Sequence, residues 1–340
     1  MRAEIYWVAT AALGHGQLAA ARERPWRLTL RAGGDLLGGM LTLEQVLDEV
    51  PLLADPGRSV SPLAGGLTNA NYKVVTGAGA YVVRRWSEDS GLLAIDRDNE
   101  YENSVRAAEV GIGAAVIAYL PEHSTMVLEW LEGTTLSAEE LRRGTMLDAV
   151  AGACRRLHGA RAFRDDFDMF EIQPRYLEIV RARGFRLPER YEEFAPHVAA
   201  IRDAFALRDE GTVPCNNDLL AENFMLTASG LRLIDYEYSG NNDPCFELGN
   251  IWSESNLSLA QLEQLVGAYY GRPARHKVAR ARLWGLMSKY GWTLWASISD
   301  GVSEIEFDFW SWGLEKYHRA VAEFESPDFG ALLDEARRAD

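Results

Sequence analysis

From residue 40 onward the chain changes its hydrophobic period in a definite order. "MLTLEQVLDEV", opening at Met40, carries a helical pattern. The stretch 60–86, "VSPLAGGLTNANYKVVTGAGAYVVRRW", alternates and turns instead. Within it, 72–75 and 81–85 predict antiparallel strands joined through Gly77-Ala-Gly79. "AIDRDNEYENSVRAAEV" returns to a helical pattern, with Asp96 near its start and Gly111 after its end. "TMVLEWLEG" predicts a strand running into a linker at Gly133. Beyond it the chain reads mostly as helix, for example "TMLDAVAGACRRLHGA". One hairpin interrupts that region: the short apolar runs 223–226 and 231–234 flank a turn at Ala228-Ser-Gly230. No internal repeat or low-complexity tract is visible. The expected fold class is α+β, a small β-rich part followed by a larger helical part.

Composition narrows the function classes. The chain has 340 residues, is 47% hydrophobic and carries a formal net charge of −15. Such a surface repels nucleic acid and anionic membrane and favours cationic partners. No apolar run approaches the roughly 20 residues of a membrane span. Cys154, Cys215 and Cys245 are too few and too far apart for a disulfide framework or a metal motif, so a cytoplasmic protein is expected. Residues 1–39 differ from the rest: five Arg, no Lys and three acidic residues give +2 against −17 for the remainder. Residues 5–13 form an apolar run of signal-peptide length, but Glu4 spoils its charged flank. Residues 1–39 are expected to be an upstream extension that adds nothing to the fold.

The hairpin carries the strongest chemistry. Asp218 and Asn223 are spaced D-x-x-x-x-N, and Asp235 follows at the end of the second strand. This is the spacing of a protein-kinase catalytic loop and its metal-binding Asp. Asp218 suits the base that accepts a hydroxyl proton. Asn223 and Asp235 offer the hard oxygen ligands that a phosphate-bridging divalent metal requires. The spacing alone recurs by chance, but a strand on each side and a second Asp at the hairpin end point to a built site. "GGLTNANY", residues 65–72, pairs glycines between strands, which lets backbone amides approach phosphate; an ordinary hairpin turn would look the same. Arg84 on the following strand supplies positive charge and Glu100 on the helix can orient it. In the last third, Trp292 and Trp295 stand three apart on one helical face, and Trp310 and Trp312 follow. They suit either core packing or an aromatic box for a quaternary ammonium, which nearby Glu254 would complement.

Residues 58–325 resemble the choline/ethanolamine kinase family, a branch of the aminoglycoside-phosphotransferase-like group with a protein-kinase-like fold. "GGLTNANYKV" resembles that family's nucleotide loop, "YVVRRW" its phosphate-contacting strand, and "DRDNEYEN" the helix carrying the paired Glu. "CNNDLLAENFML" resembles its H-N-D-x-x-x-x-N loop and "LIDYEYSGNNDPCFELGN" its I-D-[FWY]-E-Y segment. The resemblance implies two lobes, over 40–132 and 133–340, with ATP and magnesium between them. Gly65, Gly66, Thr68 and Asn69 would cover the phosphates. Arg84 would bind them, paired with Glu100, and the linker backbone at Glu129 and Leu131 would face adenine. Asp218 would be the catalytic base, and Asn223, Asp235 and Glu237 would serve the metal. Glu254, Trp292, Trp295, Phe307 and Trp312 would hold a small cationic alcohol, choline in first place. Thiamine, ethanolamine or an aminoglycoside are the alternative acceptors, and an inactive cation-binding protein is the alternative of another class. Two departures stand out: Asn216 where the family usually has His, and Glu247 where related phosphotransferases usually have Asp.

Overall fold

In the computed structural model, which describes residues 26–27, 41–63, 66–86, 88–303 and 305–338, the chain builds two lobes around a cleft. The small lobe is a six-stranded sheet made of β1 (Trp26–Arg27), β2 (Ser59–Leu63), β3 (Asn69–Thr76), β4 (Gly79–Trp86), β5 (Val116–Leu120) and β6 (Thr125–Glu129). The strand order is β1-β5-β6-β4-β3-β2, antiparallel except where β1 runs parallel to β5. The expected strands at 72–75 and 81–85 are the centres of β3 and β4, paired with Tyr72 opposite Val83. Helix α1 (Leu43–Glu49) begins at a capping box in which Thr42 and Gln45 satisfy each other's backbone N–H groups. Leu47 of α1 packs in one cluster with Val74, Val83 and Val127 of the sheet, all 0% exposed. Each such buried side chain is worth about 1.5–3 kcal/mol over exposure. Helix α2 (Arg97–Glu109), capped by the Asp96 side chain, covers the opposite face through Tyr101 and Val105.

The predicted extension is not wholly outside this lobe. Its residues 26 and 27 pair with 118 and 119 and add a short strand to the sheet edge. The rest of 1–39, and Gly65 of the expected nucleotide loop, lie outside the described residues.

After the linker, β7 (Gly133–Thr135) leads into α3 (Ala138–Arg142), α4 (Leu147–His158), α5 (Met169–Arg183) and α6 (Ala195–Ala206). Then come β8 (Val213–Cys215) and the predicted hairpin, β9 (Phe224–Thr227) and β10 (Gly230–Leu233). β11 (Gly240–Asn242), α7 (Pro244–Glu254), α8 (Leu259–Tyr270), α9 (Arg275–Val302), α10 (Phe309–Phe324) and α11 (Phe329–Ala336) complete the chain. β7 extends the hairpin into a three-stranded sheet, and β8 pairs with β11. The 28-residue α9 is the spine of this lobe, with α5, α7 and α10 packed on it. Its crossing with α7 requires glycine: a Cβ on Gly285 would lie 2.6 Å from the Gly249 carbonyl oxygen. Among the described residues, no helix is long and apolar enough to cross a membrane.

Candidate active site

The catalytic loop follows β8 and is held almost entirely by side chains of its neighbours. Glu247, on α7, accepts the backbone N–H groups of Asn216 and Asn217 at 2.9 and 2.8 Å, one on each oxygen. The departure from Asp therefore still braces the loop, through a longer arm. His158 and Cys215 stand close behind Glu247, which spends its charge on the loop amides. Asn216 also explains its own departure from His. Its Nδ2 donates to the carbonyls of Asp235 (2.7 Å) and Ile234 (3.3 Å), and its Oδ1 accepts the Asp218 N–H (3.1 Å). One amide side chain thus ties the catalytic loop to the segment after β10. Asn217 adopts the left-handed conformation (φ 67°), which Asn tolerates better than most residues. Its Nδ2 donates to the Tyr238 carbonyl at 3.0 Å.

Asp218 is half-buried in the loop that follows β8. Burial, followed by the carboxylates of Asp235, Glu254 and Glu237, pushes its carboxyl well above the usual range, and the Lys316 ammonium pulls it down. Asn223 and Asp235 flank the open end of the β9–β10 hairpin, where the Ile234 N–H donates to the Asn223 carbonyl at 3.0 Å. Asn223 Nδ2 donates to the Asp218 carbonyl at 2.7 Å, and its Oδ1 has no partner among the described residues. Asp235 sits at φ 64° and uses Oδ1 for Arg84 (2.8 Å), leaving Oδ2 uncommitted. Two free hard oxygens beside the base are a donor set that fits a divalent metal. Glu237 is held by three partners. Its Oε1 accepts the Thr68 hydroxyl (2.6 Å), and its Oε2 takes Asn69 Nδ2 (2.9 Å) and Arg97 Nη1 (3.1 Å), so it clamps the nucleotide loop to the large lobe.

Arg84 joins the two lobes. Its Nη1 donates to Glu100 Oε1 (2.7 Å) and to Asp235 Oδ1 (2.8 Å), and the guanidinium is 8% exposed. Arg97, which the sequence did not single out, bridges Glu100 and Glu237. Its neighbours in "DRDNEYEN" were the only hint. Asn99 and Asn103 of α2 donate to the Ser239 carbonyl at 2.8 and 3.2 Å, fastening that helix to the catalytic segment. Gly66 (φ 92°) turns tightly over this cluster; a Cβ there would meet Asn71 Nδ2 at 2.9 Å. The cleft holds about 620 Å³ of space when what is open to solvent is counted. Val82, Met126 and Leu128 wall it from above and Met225 and Leu233 from below. Glu129 and Leu131 lie at one end, with Arg84, Glu100 and Asp235 at the other.

Around α9 and α10, Trp292, Trp295, Phe307 and Trp312 form one connected aromatic group with Tyr238. Trp292 meets Tyr238 edge-on at 4.9 Å. Trp295 donates its indole N–H to the Tyr238 hydroxyl (2.7 Å) and meets Trp312 at 5.7 Å. Phe307 lies 6.4 Å from Trp312. Trp292 and Trp295 are buried and belong to the core. Trp310 stands apart, stacked under the Arg186 guanidinium at 4.1 Å. Glu254 is ion-paired with Lys316, whose ammonium lies 4.0 Å over the Trp312 ring.

Residues 59–280 match the phosphotransferase enzyme family over the larger part of the chain. The chain belongs to that family. This phosphotransferase is 26% identical over 254 residues to protein LicA of Haemophilus influenzae, covering 71% of this chain and 73% of LicA. A choline/ethanolamine kinase family protein of Mesorhizobium loti is 29% identical in sequence, with a TM-score of 0.75 over 86% of this chain and 97% of its own. The choline kinase LicA of Streptococcus pneumoniae is 26% identical, with a TM-score of 0.70 over 83% and 98%. The α+β, protein-kinase-like two-lobe architecture read from the sequence is therefore that of the enzyme.

One buried cation of the phosphotransferase carries a stability prediction. Lys289 on α9 is 2% exposed, with Nζ 4.2 Å over the Trp252 ring. Burial, then the nearby Arg319, lowers its pKa from 10.5 to about 7. Between about pH 7 and 10 the unfolded chain therefore holds a proton that the native state has lost, and native stability rises with pH. Lys289→Met should be more stable than the parent at pH 7, by roughly 1–4 kcal/mol. That advantage should shrink as pH approaches 10. Denaturant melts of both proteins across this range check it, and a constant difference would place the Lys289 titration elsewhere.

Proposed function

We propose that this phosphotransferase moves the γ-phosphate of ATP to the hydroxyl of choline. The observation that carries the reading is Arg84. Its Nη1 is shared between Glu100 and Asp235, which gathers a phosphate-binding cation, its helical partner and a metal-binding carboxylate at one end of the cleft. Asp218 is held beside them by Asn216 and Asn223. Adenine would lie between the apolar walls, against the backbone at Glu129 and Leu131, with Gly66, Thr68 and Asn69 over the phosphates. Magnesium, when bound by Asn223 and Asp235, would neutralise charge developing on the phosphates. Asp218 orients the acceptor hydroxyl and takes its proton. Arg84, braced from both lobes, fixes the phosphates, so catalysis comes mainly from positioning and charge compensation. Trp292 and Trp295, with Tyr238, offer aromatic faces for a trimethylammonium group. Similarity to a choline kinase supports the choice of acceptor.

The test is an acceptor screen that measures ADP release with choline, ethanolamine, thiamine and an aminoglycoside. Choline should give the highest kcat/KM. Trp295→Leu should raise the choline KM by about two- to thirty-fold, the worth of one cation–π contact. It should leave kcat nearly intact, because the cationic group binds alike in ground and transition states. A higher kcat/KM for thiamine or ethanolamine would replace choline, and no ADP from any acceptor would reduce the protein to a binding module.

A further inference from the structure

The carboxylate expected to receive the acceptor's cation already holds one. Lys316 Nζ pairs with Glu254 Oε2, and the two side chains are 6% and 5% exposed. The same ammonium lies over Trp312, one helical turn back on α10, so it occupies both the acid and an aromatic face of the expected box. The charges of Glu254 and Lys316 act on the Asp218 carboxyl in opposite directions. The other Glu254 oxygen, Oε1, is buried with no hydrogen-bond partner.

The two candidate acceptor cations need different surroundings. A primary ammonium is strongly hydrated and is compensated by oxygen acceptors to which it donates hydrogen bonds. A quaternary ammonium has no N–H, donates nothing and is compensated by aromatic faces. With Lys316 in place the Glu254 charge is cancelled and one of its oxygens is used. What remains of the expected box is Trp292, Trp295 and Tyr238, which suits the second kind of cation better than the first.

Resting on the amino-alcohol kinase reading above, we infer that Lys316 is a specificity-determining residue. By neutralising Glu254 and covering Trp312 it withholds the carboxylate that a primary ammonium would require, and so favours choline over ethanolamine. It is a positioning and charge-cancelling group that touches neither the phosphate nor the reacting hydroxyl. Removing its charge turns Glu254 into a bare buried carboxylate, best compensated by an acceptor that can donate to it.

The experiment compares kcat/KM for choline and ethanolamine in the full-length wild-type chain, Lys316→Met and Lys316→Arg. In Lys316→Met the ethanolamine-to-choline ratio should rise by about tenfold or more, the worth of a hydrogen bond to a charged group. Lys316→Arg keeps the positive charge on Glu254 and should keep a ratio near the wild-type one. Should the Met variant not fold, Lys316→Gln keeps a donor on Glu254 without the charge and carries the same expectation. An unchanged ratio in a folded neutral variant, with both acceptors slowed alike, overturns the inference and leaves Lys316 a purely structural partner. Wild-type enzyme active on choline with that outcome overturns the inference alone. Wild-type enzyme active on neither amino alcohol overturns the function reading, and the inference with it.

Discussion

Asp218→Ala lowers kcat by about 10²–10⁴-fold, the range for a lost general base, while the KM for ATP stays near its wild-type value. The backbone at this position does not depend on the side chain. The Asp218 N–H is held by Asn216, its carbonyl by Asn223, and the next N–H by Asn250 at 2.8 Å. Removing the carboxylate should therefore leave the loop in place and take away only the group that receives the hydroxyl proton. The crowding of acids around Asp218 makes the variant no less stable than the parent, because one of several mutually repelling carboxylates is gone. Steady-state kinetics beside a thermal melt separate the two effects. A folded variant with near-wild-type turnover would remove Asp218 from the mechanism.

Asp235→Ala abolishes activity at ordinary magnesium concentrations. Two losses coincide there. The metal forfeits an oxygen donor at the phosphate end of the cleft. Arg84 also forfeits the partner that draws it across the cleft, leaving it paired with Glu100 alone. Asp235 sits in the left-handed region (φ 64°), which costs Ala more than Asn, so Asp235→Asn is the control for backbone strain. Both variants should be inactive, with the Asn form the better folded. Activity that survives unchanged across a magnesium titration would sink the metal assignment.

The elements that were legible are those whose signal is local. The β3–β4 hairpin announced itself by alternation around Gly77-Ala-Gly79, and α2 by a capping Asp96 and a terminal Gly111. The spacing of Asp218, Asn223 and Asp235 was legible because one short hairpin sets all three positions. The pairing of 26 and 27 with β5 was not, since two residues carry no period and only an available sheet edge selects them. Glu237 was expected, from the resemblance, to serve a metal together with Asp235. Its oxygens go to Thr68, Asn69 and Arg97, because the chain does not run extended between the two residues: Asp235 takes φ 64° and Glu237 stands in a turn. Lys316 was within reach of the sequence as the residue four after Trp312, on the same face of α10. Nothing in that spacing, however, says that Glu254 lies opposite.

By itself the sequence determined a small β-rich part followed by a larger helical one, the spacing of Asp218, Asn223 and Asp235, and the acidic balance of the chain. These follow from propensity, periodicity and charge, which act over a few residues or over the whole composition. Tertiary structure alone decided which charges meet. Thr68 reaches Glu237 across 169 positions, Arg84 reaches Asp235 across 151, and Lys316 reaches Glu254 across 62. Whether an acidic side chain becomes a metal ligand, a clamp on the nucleotide loop or the partner of an internal ammonium depends on what the opposite lobe or helix presents. Only packing settles that, because a buried charge must be compensated by whichever group the fold places within a few ångströms of it.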